Sequence, residues 1–123
     1  MSSGTNTRAV TGRKAERVAR RLLERHGLKT IRTNYSCPLG EIDLIMRDAN
    51  ELVFVEVRAR ADNAWVSAGE SIGRQKQRRL LAAAEHYLYR ARWPSLPPCR
   101  FDVVLVTTGN EGYRVEWLRD AFR

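Results

Sequence analysis

Two apolar segments on either side of a short turn constrain this chain more than anything else in it. Residues 41–48, EIDLIMRD, and residues 51–60, ELVFVEVRAR, have the composition of strands, and Asp48-Ala49-Asn50-Glu51 between them reads as the turn of a hairpin. Successive side chains of a strand point to opposite faces. Ile42, Leu44 and Met46 are therefore expected on one face and Glu41, Asp43 and Ile45 on the other. In the second segment Val53, Val55, Val57 and Ala59 share a face opposite Phe54, Glu56, Arg58 and Arg60. A turn centred on Ala49-Asn50 pairs Ile42 with Val57, Leu44 with Val55 and Met46 with Val53, so the aliphatic faces coincide. The same register sets Asp43 opposite Glu56 and Glu41 opposite Arg58. A slip of one residue would set aliphatic side chains against carboxylates along the whole ladder.

The rest of the chain supplies elements to cover such a hairpin. Over residues 11–26, Ala15, Val18, Ala19, Leu22 and Leu23 recur at spacings of three and four, which predicts an amphipathic helix. Thr11 suits its N-cap and Gly27 its end, with His26 a favourable cation at a helix C-terminus. The outer face is basic, with Arg13, Arg17, Arg20, Arg21 and Arg25. Residues 28–36 read as a first strand and 61–70 as a loop carrying Trp65. Ser71 can cap a second helix running to about residue 92, which Pro94, Pro97 and Pro98 forbid from continuing. Residues 100–107 are apolar on both faces, as a buried strand should be, and a turn at 109–112 leads to a last strand over 113–118. The expected order is α-β-β-β-α-β-β, an α/β fold with a mixed central sheet flanked by helices. Residues 1–11 read as a flexible tail and 12–123 as a single domain.

Charge sharpens the reading. The net charge is +8, which points to a polyanionic partner. It is uneven: residues 1–36 hold nine basic and two acidic side chains, residues 37–70 three and seven, and residues 71–123 ten and five. An acidic island at −4 thus lies between basic segments at +7 and +5. No uncharged apolar run is long enough for a membrane span, and the polar start lacks the core of a signal peptide, so a cytoplasmic protein with no membrane partner is expected. Cys37 and Cys99 lack the spacing of a zinc or redox motif.

The island gains meaning from the hairpin. Carboxylates facing each other across a sheet, about 5 Å apart, repel unless a proton or cation intervenes. Hard oxygen ligands suit Mg²⁺ or Mn²⁺, which bind through one or two carboxylates and keep water and phosphate as the other ligands. Asp43 and Glu56 beside basic segments therefore suggest a metal site working on a phosphodiester. The plainer alternative, two solvated acids on an open sheet face, is weakened by the apolar setting of Glu56 in FVEV. On the first helix, Glu16 stands at the margin of the apolar stripe. It is either an ordinary surface acid or one turned toward the sheet.

The strings GEIDLI (40–45), VFVEVRAR (53–60), RQKQRRL (74–80) and RFDVVLV (100–106) resemble the YraN-like family of uncharacterised bacterial proteins. That family is similar to the PD-(D/E)xK, restriction-endonuclease-like superfamily and to archaeal Holliday junction resolvases. The resemblance runs from about residue 12 to 118. It implies that Asp43 and Glu56 are the metal-binding carboxylates, with Glu16 helping to hold a metal or water. It also implies Mg²⁺ (or Mn²⁺) dependence and, from the junction-cutting relatives, a homodimer. The motif expects lysine where this chain has Arg58, which cannot lose its proton and so cannot act as a base. Lys76 shares a helical stripe with Leu80, Ala83, Ala84, Tyr87 and Ala91, and so extends the core-facing side of the second helix toward the carboxylates.

The expected function is a divalent-metal-dependent endonuclease acting on DNA rather than RNA, with branched or flap substrates. Glu16, Asp43, Glu56, Arg58 and Lys76 would form the catalytic set, and Arg60, Trp65, Arg74, Gln75, Arg78 and Arg79 would hold nucleic acid. The alternative is an impaired nucleic-acid-binding module that keeps the fold, and a pure protein-interaction domain ranks third.

Overall fold

Helix periodicity in the first segment and strand periodicity in the next three build the layers in the order expected. The computed structural model describes residues 3–61, 72–109 and 112–122, and side chains within 12–60, 72–108 and 112–122. The elements are α1 (Ser3–Arg25), β1 (Lys29–Cys37), β2 (Gly40–Asp48), β3 (Glu51–Ala61), α2 (Arg74–Ala91), β4 (Cys99–Gly109) and β5 (Gly112–Phe122). One five-stranded sheet has the order β1-β2-β3-β4-β5. Only β3 and β4 run parallel, joined by the crossover through α2; the other neighbours are antiparallel.

Element ends depart from expectation where end signals compete with packing. α1 begins at Ser3, not at a Thr11 cap, because nothing in residues 3–11 forbids helix and Gly12 is tolerated at a cost of about 1 kcal/mol. The residues expected to form a loose tail therefore join the helix from Ser3 onward. Gly27, at φ 94°, ends the helix region as expected, and the Leu28 amide returns to the Leu23 carbonyl at 3.1 Å. Ser71 lies outside the described residues; the N-cap of α2 is Gly73, which makes no side-chain cap.

The sheet is covered on both sides. α1 lies over β3 and β4, and α2 over β2. Ala15, Ala19 and Leu23 bury against Leu44, Met46, Val53, Val55, Val104 and Val106. On the other face Leu80, Ala83 and Ala84 bury against Ile42, Ile45, Leu52 and Phe54, where Phe54, Phe101 and Phe122 stack with ring centroids 5.3 and 5.1 Å apart. Each Leu, Ile, Val, Met or Phe side chain buried this way contributes roughly 1.5–3 kcal/mol. α2 approaches so closely that a Cβ on Gly40 would lie 2.8 Å from the Arg79 carbonyl oxygen, which gives the glycine of GEIDLI a steric reason.

The hairpin register is as expected from Asp48↔Glu51 to Leu44↔Val55. Beyond that point it differs. Ile42 packs on the α2 side with Tyr35 while Leu44 packs on the α1 side, although the two stand two residues apart in one strand. The neighbouring strand carries the cause. Thr33 pairs with Leu44 and Tyr35 with Ile42, and between them Asn34 is left-handed at φ 53°. Asparagine tolerates that conformation better than most residues. The pleat of the β1–β2 ribbon inverts there. The expected ladder pairs Asp43–Glu56, Ile42–Val57 and Glu41–Arg58 are not formed; on its other edge β2 stays paired with β1, where Glu41 meets Ser36.

A buried ionic knot closes the far end of the sheet. Asp102 on β4 is 0% exposed. It accepts from Arg100 Nε at 3.0 and 3.2 Å, from Trp117 Nε1 at 2.9 Å and from the Asp120 amide at 2.9 Å. Arg100 Nη1 also reaches Asp48 at 3.0 Å and Glu51 at 2.8 Å, so one guanidinium ties the hairpin turn to the β4–β5 pair. Without Asp102, the Trp117 indole and the Asp120 amide lose their acceptor and Arg100 keeps only Asp48 and Glu51, and breaking a buried pair costs about 3–5 kcal/mol. Asp102→Ala is therefore expected to lower unfolding stability by that amount in a denaturant titration, whereas a change under about 1 kcal/mol would show the knot to be dispensable.

Candidate functional site

The pleat inversion builds the site. Where β2 would have continued its ladder along β3, the Val57 amide donates to Asp43 Oδ2 at 2.8 Å. The carboxylate takes the place of a strand carbonyl, so β2 and β3 part at Asp43 and its side chain stands at the opening. Glu56 precedes Val57 on β3, at the end of the run Leu52-Val53-Phe54-Val55, in which every residue is buried. It is only 4% exposed. From α2, Lys76 Nζ reaches Glu56 Oε2 at 3.2 Å. From α1, Glu16 lines a cleft with Asn34 and feels the charge of Asp43. Residues on both helices and three strands thus meet around Asp43, because the inversion leaves that residue between the two faces of the sheet.

Electrostatics follow from burial. The proton affinity of Glu56 is pushed up to about 8, first by loss of solvent, then by a hydrogen bond to Asp43 and by the Asp43 charge; Lys76 opposes these. Once protonated, Glu56 donates to the Asp43 carboxylate. Glu16 is shifted upward too, by burial first and Asp43 second, with the Asn34 hydrogen bond working against both. A buried carboxylate set beside a second carboxylate and only partly offset by Lys76 leaves negative charge under-neutralised, and two neighbouring hard oxygen donors fit a divalent cation. Among the described residues no group of three or more His, Cys, Asp or Glu side chains gathers as a ready-made metal cage, so water and substrate oxygens would complete the coordination.

The other expected residues differ in placement. Arg58 shares the face of Glu56, is exposed, and has no ion-pair partner among the described residues. Lys76 is the cation that reaches the buried carboxylate, although the stripe it was placed on is buried only at Leu80, Ala83 and Ala84. Arg74, Gln75, Arg78 and Arg79 are exposed on the first two turns of α2, where Lys76, Arg79, Ser36, Cys37 and Glu41 line a cleft of about 460 Å³. Arg60 is engaged within the sheet, its Nε donating to Thr107 Oγ1 at 3.2 Å. Trp65 lies outside the described residues. Sequence reasoning missed Asn34, whose one signal is a turn-forming residue inside a strand.

Comparison with known proteins places these residues in a wider group. The profile described as "Uncharacterised protein family UPF0102" matches residues 15–106. A UPF0102 protein of Nitrosospira multiformis is 50% identical over 116 residues, covering 94% of this chain and 95% of that protein. One from Nitrosococcus oceani is 49% identical over 112 residues, covering 91% and 90%. A third, from Paracidovorax citrulli, is 52% identical over 122 residues, covering 96% and 85%.

The upward shift of Glu56 has a consequence for stability. The folded chain holds a proton that the unfolded chain releases near 4.5 and itself releases it near 8. The contribution of Glu56 to stability is therefore full below pH 4.5 and is lost as pH rises to about 8. Without divalent cations, Glu56→Gln should gain on the native protein by on the order of 3 kcal/mol between pH 5 and pH 9. Denaturant titrations at the two pH values measure the difference, and equal differences at both would contradict the shift.

Proposed function

The chain belongs to the uncharacterised family UPF0102, and we propose that it is a divalent-metal-dependent endonuclease hydrolysing phosphodiester bonds of DNA, with branched or flapped forms as substrates. One observation carries the reading: Glu56 is a buried carboxylate beside a second acid, Asp43, and is met by Lys76 at 3.2 Å. A structural role would favour a neutral or apolar residue at the end of β3, since a carboxylate there loses solvation and faces a like charge. The resemblance to junction resolvases supports DNA, and the basic first turns of α2 supply cations beside the site.

Asp43 and Glu56 would hold Mg²⁺ or Mn²⁺, which supplies a lowered water pKa and a polarised phosphoryl group. Asp43 is oriented for that role by the Val57 amide, which donates to its Oδ2 at 2.8 Å. Glu16, beside Asn34 at the margin of the site, orients the attacking water. Lys76 lies on the Glu56 side and offsets the negative charge that grows on the phosphoryl oxygens. Arg58 presents its planar fork to a non-bridging oxygen, while Arg74, Gln75, Arg78 and Arg79 hold flanking phosphates.

A second reading, a binding module without catalysis, draws on Arg58, a fixed cation where the motif has lysine. Labelled four-way junction, flap and linear duplex incubated with Mg²⁺ or Mn²⁺ separate the two. Cleavage is expected, with a loss of at least 100-fold in Asp43→Ala and Glu56→Ala and about 10²-fold in Lys76→Met. Cleavage persisting in Asp43→Ala would end the nuclease assignment. Binding without cleavage, converted to cleavage by Arg58→Lys, would establish the second reading. Independently, Mn²⁺ should raise the unfolding midpoint of the native chain and not that of Asp43→Ala.

A further inference from the structure

A second basic hollow lies on the α1 side of the sheet, outside the set of residues assigned above to nucleic-acid contact. Arg13, Arg17 and Arg20 stand at i, i+4 and i+7 of α1 and share one face. With Glu16, Thr33 and Asn34 they line a cleft of about 300 Å³. Arg20 gives its Nε to Glu24 at 3.2 Å. Arg13 and Arg17 have no carboxylate within ion-pairing distance among the described residues. Glu16 lines this cleft and feels the charge of Asp43, so the cleft borders the carboxylate site.

We infer that this cleft seats the phosphate backbone of a nucleic-acid strand, with Arg13 and Arg17 on neighbouring phosphates. The inference rests on the nuclease reading for the identity of the polymer. Four residues of helix rise about 6 Å, a separation comparable to one phosphate step along a strand. Guanidinium forks match phosphate oxygens in pairs, and the Thr33 hydroxyl adds a neutral hydrogen-bonding group of the kind that contacts sugar and phosphate. The Lys76 and Arg79 cleft lies against α2 and this one against α1, with Asp43 at the inversion between them. A strand seated on α1 therefore passes the carboxylates and meets the α2 cations beyond, so the nucleic acid is gripped from both faces of the β1–β2 ribbon.

The test measures binding apart from cleavage, in an Asp43→Ala background, by fluorescence anisotropy of labelled DNA across a salt series. Arg13→Gln/Arg17→Gln should weaken binding at least tenfold at low salt and reduce the slope of log affinity against log salt by about 2, since each phosphate contact contributes roughly 0.9. Arg13→Lys/Arg17→Lys should retain most of the slope. Arg90→Gln/Arg92→Gln, two exposed arginines at the far end of α2, should change neither quantity, and far-ultraviolet circular dichroism confirms folding of each variant. Unchanged affinity in the α1 variant, or an equal loss in the far-end control, would overturn the inference. Calorimetry with inorganic tripolyphosphate separates it from the nuclease reading. If the protein binds no nucleic acid but its tripolyphosphate binding is lost in Arg13→Gln/Arg17→Gln, the cleft stands as a phosphate-chain site and the nuclease reading falls. Binding of neither ligand overturns both.

Discussion

A carboxylate taken out of water has to be neutralised, and the end of β3 is organised around that requirement at Glu56. The apolar run before it places the side chain in the interior, where its charge is costly. Asp43 makes the cost larger, and Lys76 offsets only part of it. The left-handed turn of Asn34, the inverted pleat that puts Asp43 between the faces, and the reach of Lys76 down from α2 each set what surrounds this one group.

β4 carries a natural control. Asp102 is also an acid within an apolar strand, and it is more deeply buried than Glu56. Yet it is fully served, by the Arg100 guanidinium, the Trp117 indole and a backbone amide. Its demand is met within the chain, and it holds the turn and the last strand together. Glu56 is met by one lysine and by another acid. Two residues with the same sequence signature thus have opposite electrostatic fates, and the one left in deficit is where a cation from outside has most to contribute.

Much of the candidate site was legible in the amino-acid sequence. Asp43 and Glu56 stood out because FVEV embeds an acid in an apolar run and because the register of Leu44 with Val55 and Met46 with Val53 set the two strands against each other. Glu16 was legible as a margin residue and Lys76 as an extension of a helical stripe. Three features were not. Strict alternation put Ile42 beside Leu44, and the inversion at Asn34 moved it to the other face. The Thr11 cap was a good local signal overruled by a chain with no helix breaker before it. Asp102 was read as part of a buried strand with no account of what would neutralise it.

By itself the amino-acid sequence determined the element order, the hairpin register as far as Leu44↔Val55 and the identity of the acids in apolar strands, because these depend on periodicities spanning a few residues. Tertiary structure alone decided which acid is satisfied and which is not, because neutralisation depends on groups far apart in the chain: Arg100 with Asp48, and Lys76 with Glu56. It also decided that Asp43 lies where β2 changes face. That outcome needs a left-handed residue in one strand to turn the pleat of its neighbour, and no periodicity within either strand records it.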